Sequence, residues 1–86
     1  MNYRVLWTSP AEDQLATIWL GATDRRNVTS AAHTIDALLR DDPQECGESR
    51  TGTVRIMFAA PLAIDFEVLE EDRLVYVLGV WTIQST

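Results

Sequence analysis

The 86-residue chain carries thirteen acids against seven arginines and no lysine, a net charge of −6. A balance so acidic repels phosphate backbones at long range, so the molecule as a whole is not drawn to nucleic acid, although a local arginine cluster would still bind it. The single cysteine, Cys46, excludes an internal disulfide framework and a cysteine-rich zinc centre.

A chain of this length makes one domain, residues 1–86, and buries roughly 60–65% of the surface that its unfolded form exposes. No apolar run follows a basic start, and none approaches the ~20 residues of a membrane span, so neither a signal peptide nor membrane insertion is expected. The expected compartment is the reducing cytoplasm. There the Asn27-Val28-Thr29 sequon never meets the glycosylation machinery. No cofactor and no metal site is expected. The lone His33 has no second histidine to complete a site, and Cys46 has no histidine in sequence reach to activate it as a nucleophile.

In chain order, "YRVLWT" (3–8) alternates and is rich in β-formers, which predicts a strand. "SPAEDQLATIWLG" (9–21) then reads as a helix opened by a capping box. Ser9 is the N-cap, Pro10 takes the first helical position, and Glu12 lies three residues after the cap. Ala11, Leu15, Ile18, Trp19 and Ala22 form its apolar stripe, and Gly21 supplies the stop. A second helix is predicted from about Asp24 to Arg40, with Val28, Ala31, Ala32, Ile35, Leu38 and Leu39 at helical spacing and Pro43 beyond its end. So short a junction makes the two an antiparallel hairpin. Arg25 and Arg26 sit oddly at the start of that helix, where the dipole favours acids.

"QECGESRTG" (44–52) reads as a polar connection. "TVRIMFA" (53–59), "LAIDFEVL" (62–69) and "RLVYVLGVW" (73–81) then predict a three-stranded antiparallel meander. The fold class that follows is α+β: a two-layer sandwich, β-α-α-β-β-β, with the helical hairpin packed on one face of a mainly antiparallel four-stranded sheet. The face expected under the helices carries Val54, Ile56, Phe58, Ile64, Phe66, Val68, Leu74, Tyr76, Leu78 and Val80. The open face is expected to carry Arg55, Met57, Asp65, Glu67, Val75, Val77, Gly79 and Trp81.

The order of these pieces resembles the RelE/ParE superfamily, the toxins of bacterial type II toxin–antitoxin pairs. The likeness rests on the hairpin ending "LLRDDP", the linker "GESRTGTVRI" and the meander "PLAIDFEVLEEDRLVYVLGVW", and it spans nearly the whole chain. It implies that the first strand lies beside the last and that a cognate antitoxin, commonly acidic, wraps the protein through an extended segment and a helix. For RelE-like relatives it implies messenger-RNA cleavage, on the ribosome or free, by basic residues on the open sheet face. For ParE-like relatives it implies poisoning of DNA gyrase without that set. Position by position, Arg55 stands where a basic residue of the second strand is expected, but Met57 occupies the place of another. Ala63 stands where an arginine is common, and Thr82 and Ile83 stand where a basic pair would close the last strand.

Cleavage of RNA needs a group to activate the 2′-hydroxyl and cations to stabilise charge on the phosphate. The candidates for such a catalytic set are Arg50, Arg55 and Arg73. The competing reading gives the open face to a protein partner, through Arg55, Met57, Asp65, Glu67 and Trp81. An exposed apolar strip usually marks such a surface, and Gly79 would let another backbone approach. Arg55 would equally pair across the sheet with Asp65 or Glu67. A homodimer through the same face is the alternative arrangement. Trp7 and Trp19 follow the strand and helix patterns and are expected in the core.

Overall fold

The computed structural model describes residues 2–83. Strand β1 (Arg4–Trp7) leads into helix α1 (Ser9–Gly21) and helix α2 (Arg25–Asp41). A single 3₁₀ turn, Pro43–Glu45, then precedes β2 (Glu48–Thr51), β3 (Val54–Ala59), β4 (Leu62–Leu69) and β5 (Leu74–Thr82). The sheet order is β1-β5-β4-β3-β2, with β1 parallel to β5 and the other pairings antiparallel. The α+β sandwich therefore stands, with the first strand beside the last. The sheet has five strands rather than four. The added β2 lies inside the stretch read as a polar connection, and all four of its residues are exposed. Backbone pairing to β3 alone makes it a strand, with no apolar alternation to announce it.

Helix α1 is capped one residue earlier than its sequence suggests. Thr8, not Ser9, accepts from the Ala11 amide at 3.4 Å, while its hydroxyl donates to the Val77 carbonyl at 2.8 Å. One side chain thus starts the helix and ties it to β5. Past the end of β1, Gln14 takes over the free edge of β5, its Oε1 accepting from the Val80 amide at 2.8 Å. Asp24 caps α2 through the Asn27 amide, as its position predicts. Arg25 donates to the carbonyls of Trp19 and Leu20 at 3.0 and 2.9 Å, placing a cation at the C-terminus of α1. That placement explains an arginine which the start of α2 alone does not.

Val28, Ala31, Ile35 and Leu39 of α2 press onto Met57, Ile64, Phe66, Val75 and Val77 of the sheet. Leu38, read as part of that stripe, is 46% exposed. Trp19, expected in the core, is 39% exposed. Its indole donates to Thr29 Oγ1 at 3.1 Å, and the Arg25 guanidinium lies 4.6 Å from its ring centre. Trp7 is half-buried, with its indole on Asp36 Oδ1.

The assignment of side chains to the two faces departs from the sequence expectation in β3 and in the first half of β5. Arg55, Met57, Val75 and Val77 lie on the covered side, and Met57, Val75 and Val77 are buried. Val54, Ile56, Phe58, Leu74 and Tyr76 lie on the open side. The reason is arithmetic. Two residues separate Ala59 from its partner Leu62, and four separate Leu69 from Leu74. Turns of even length pair odd positions with even ones, so a face is not made of even positions throughout. A bulge then shifts the phase again: Phe66 pairs with Val77 but Asp65 with Gly79, which leaves Leu78 as the additional residue on β5. Asp65, Glu67, Gly79 and Trp81 consequently face outward as expected, and Val80 faces in.

The turn end of the sheet is fastened to the rest by Glu70. It accepts from the Tyr3 hydroxyl at 2.7 Å and from Gln44 Nε2 at 3.0 Å, with Arg73 alongside at 4.0 Å. These hydrogen bonds, from Gln44 and then from Tyr3, hold the Glu70 carboxyl below its ordinary value. A carboxyl depressed on folding contributes stability above its unfolded value and loses it as pH falls through the folded one. Acid unfolding followed by circular dichroism is therefore expected to show a gentler loss of stability below roughly pH 4 in Glu70→Gln than in the natural chain.

Candidate functional site

The open face of the sheet is a set of cross-strand rows. Phe58, Ala63 and Trp81 form one, Ile56, Asp65 and Gly79 the next, and Val54, Glu67 and Tyr76 a third. Phe58 is 64% exposed and Trp81 38%, while Ala63 between them in register is fully buried. The face is thus largely apolar, with two carboxylates at its centre. Glu67 accepts from the Thr53 hydroxyl at 2.6 Å.

Asp65 is the unusual member. Its Oδ1 is a buried side-chain oxygen with no hydrogen-bond partner, the only such atom found among the described residues. It lies where a side chain on Gly79 would stand, since a Cβ built there comes within 2.8 Å of it. Gly79 therefore makes room for a carboxylate of the same chain, not for the approaching backbone that the sequence suggested. A buried polar group left unpaired costs about 1–3 kcal/mol. Replacing Asp65 by apolar or β-branched residues is the evident remedy.

The arginines do not gather. Arg55 faces the helix side, donating from Nε to the Cys46 carbonyl and from Nη2 to the Gly47 carbonyl, both at 3.0 Å. It pairs with neither Asp65 nor Glu67. Instead it anchors the loop at Gly47, where φ is +65° and an added Cβ would sit 2.0 Å from the Ile56 carbonyl oxygen. Arg73 occupies the β4–β5 turn, its guanidinium 5.3 Å from the Tyr3 ring centre. Arg50 lies exposed on β2, two strands away from the β4–β5 turn. Of the expected partner-binding residues, Asp65, Glu67 and Trp81 share the open face. Arg55 and Met57 are turned from it.

Two other features bear on chemistry. Cys46 donates weakly to the Asp42 carbonyl at 3.3 Å, and burial, followed by the nearby Asp42 charge, pushes its thiol pKa up, which disfavours a reactive thiolate. Among the described residues, no group of three or more His, Cys, Asp or Glu side chains comes together to hold a metal ion. No helix among them is long and apolar enough to cross a membrane.

On the opposite layer α1 and α2 follow each other across a short junction. An open groove of about 1130 Å³ remains between them and the β1 edge, lined chiefly by Trp7, Leu15, Trp19, Val28 and Ala32. The two successive helices expected from the sequence are present, with this groove lined by both. Nothing in the apolar stripes marked this groove, because a stripe facing a groove and one facing a core read alike.

Two helices thus lie over one side of an open five-stranded sheet. The chain matches no protein-family model and no curated protein sequence. Its fold is similar to that in the RelBE2 toxin–antitoxin complex of Mycobacterium tuberculosis, with a TM-score of 0.80 over 99% of this chain and 95% of that one at 16% identity. The chromosomal ParDE system of P. aeruginosa gives 0.71 over 95% and 97% at 17% identity. The isolated E. coli RelE toxin gives 0.68 over 98% and 87% at 16% identity. At such identities the likeness is one of fold.

Two substitutions separate the structural residue from the one kept at a cost. Arg55→Ala is expected to lower stability by about 1–3 kcal/mol in urea titrations, because two loop carbonyls lose a charged donor. Asp65→Thr is expected to raise it by about 1 kcal/mol, by removing the unpaired oxygen and improving strand propensity.

Proposed function

We propose that this protein is the toxin component of a type II toxin–antitoxin pair, or a close derivative of one, acting in the cytoplasm through protein recognition on the open sheet face. The observation that carries this reading is the orientation of Arg55. It is the only cation on the three central strands, and it points to the helix side, tied to the Cys46 and Gly47 carbonyls. The open face then presents Asp65 and Glu67 among apolar residues, and carboxylates there would repel a phosphate backbone. Arg50 lies on β2, the strand beside that of Arg55, and Arg73 lies in the β4–β5 turn, so the three are on separate elements. Support for an antitoxin partner comes from the fold shared with proteins solved as RelBE and ParDE complexes. The groove between α1 and α2 would take the helix of such a partner, leaving the sheet face for an extended segment.

The second reading is a ParE-like block of gyrase, which the resemblance implies for that branch and which needs no catalytic cations. The outward face of the three central strands, which presents Asp65 and Glu67 and no cation, suits it better than ribonuclease action.

Induced expression in bacteria, with and without co-expression of any small protein found encoded beside this gene, tests the proposal. Expression alone is expected to arrest growth and co-expression to restore it. Trp81→Ala is expected to weaken the purified complex by about tenfold or more, as loss of a buried aromatic anchor does. Primer extension on cellular messages is expected to reveal no new ends. Discrete cuts that disappear in Arg50→Ala or Arg73→Ala would overturn the proposal in favour of a ribonuclease, and inhibition of supercoiling by the purified chain would move the target to gyrase.

A further inference from the structure

We propose that the open sheet face receives a segment of a partner protein in which an arginine or lysine is flanked by apolar side chains, the cation being drawn to Asp65. This rests on the reading of the open face as a protein-recognition surface and names the chemistry of what it recognises.

Three observations carry it. First, Asp65 has a carboxylate oxygen that no donor in the fold satisfies. The chain has no lysine, and Arg55, the basic residue on the adjacent strand, is committed to loop carbonyls on the other side. Gln14, the polar side chain beside the same Gly79 position, accepts through Oε1 from the Val80 amide, and a basic group of another molecule would supply Asp65 with a donor. Second, the charges within the row of Asp65 and next to it on β4 are acidic, and the nearest arginine on β2, Arg50, lies at the edge-strand bulge beside Val54. Glu67 lies on the same face of β4, and Glu48 follows Ile56 in register on β2, while Arg4 stands at the far β1 edge opposite Leu74. With a net charge of −6, the whole molecule attracts a basic segment. Third, the flanks of Asp65 are apolar and accessible. Phe58 and Trp81 stand to one side, and a shallow cleft of about 390 Å³ continues past Trp81 between α1 and the end of β5, with Asp13 at its wall.

A purely apolar occupant would bury Asp65 further without pairing it. A second copy would bring an equally acidic face against this one. An acidic segment or a nucleic acid meets like charge. A cation with apolar neighbours suits all three features. Gly79 keeps the Asp65 carboxylate folded against the sheet, and a cation at the surface would turn the side chain outward about its own χ angles.

The test is selection of random twelve-residue peptides displayed on phage against the intact natural chain, with counter-selection against an unrelated acidic protein. Enriched peptides are expected to carry arginine or lysine between apolar residues. As synthetic peptides they are expected to bind about tenfold or more weakly to Asp65→Asn, as loss of a charge-assisted contact does. Asp65→Ser gives a second variant should Asn impair folding, which circular dichroism reports. Peptides that need Phe58 and Trp81 but bind Asp65→Asn unchanged would keep the open face as a docking surface and overturn its preference for a cation. Peptides indifferent to Phe58→Ser and Trp81→Ala bind elsewhere and would overturn the open-face reading itself. Enrichment of acidic or uncharged sequences, or none above the counter-selected background, also overturns the proposal.

Discussion

Every assignment of side chains in this protein depends on how β4 is paired with its two neighbours. Two residues on one side and four on the other set the partners of each β4 position, and one additional residue at Leu78 corrects the phase halfway along β5. Because side chains alternate along β3, shifting its register on β4 by one would bring Arg55 to the outer face and Ile56 to the inner one. The core of Phe66, Ile64, Val75 and Val77 under α2 and the acidic face behind it are therefore two results of the same pairing.

That pairing also explains which parts of the molecule are legible in the sequence. The helices are, because caps and apolar stripes are local signals: Asp24, Ala31, Ile35 and Leu39 behave as their spacing predicts. Strand β4 is also legible, since its polar Asp65 and Glu67 alternate with Ile64, Phe66 and Val68 and so state which face is wet. In β3 and β5 both faces are apolar, so alternation cannot say which side is covered. Turn length supplies the missing parity, and the spacing of Ala59 to Leu62 contains it in the sequence itself. Strand β2 carries no signal of its own, being four exposed residues held by backbone pairing.

The candidate site divides in the same way. Asp65, Glu67 and Trp81 are where the sequence placed them, whereas Arg55 and Met57 are on the other side. What periodicity cannot express is that Asp65 has an unpaired oxygen in the space left by Gly79, because that follows from two strands meeting at a bulge. Arg55 and Arg25 teach a related lesson. Each carries a full charge and each is spent on backbone carbonyls, one at a loop and the other at the end of α1. Counting arginines along the chain therefore overstates how many remain to meet a phosphate.

The parallel pairing of β1 with β5 has a bearing on biosynthesis. Residues 4–7 pair as a strand with residues 74–77, so the first strand of this sheet to be made waits for the last. Until then β1 is an unsatisfied edge, and neither the inner nor the outer surface of the sheet is complete. A nascent chain is accordingly inert toward any target that reads the finished surface. A binding partner made at the same time has the whole of that delay in which to arrive.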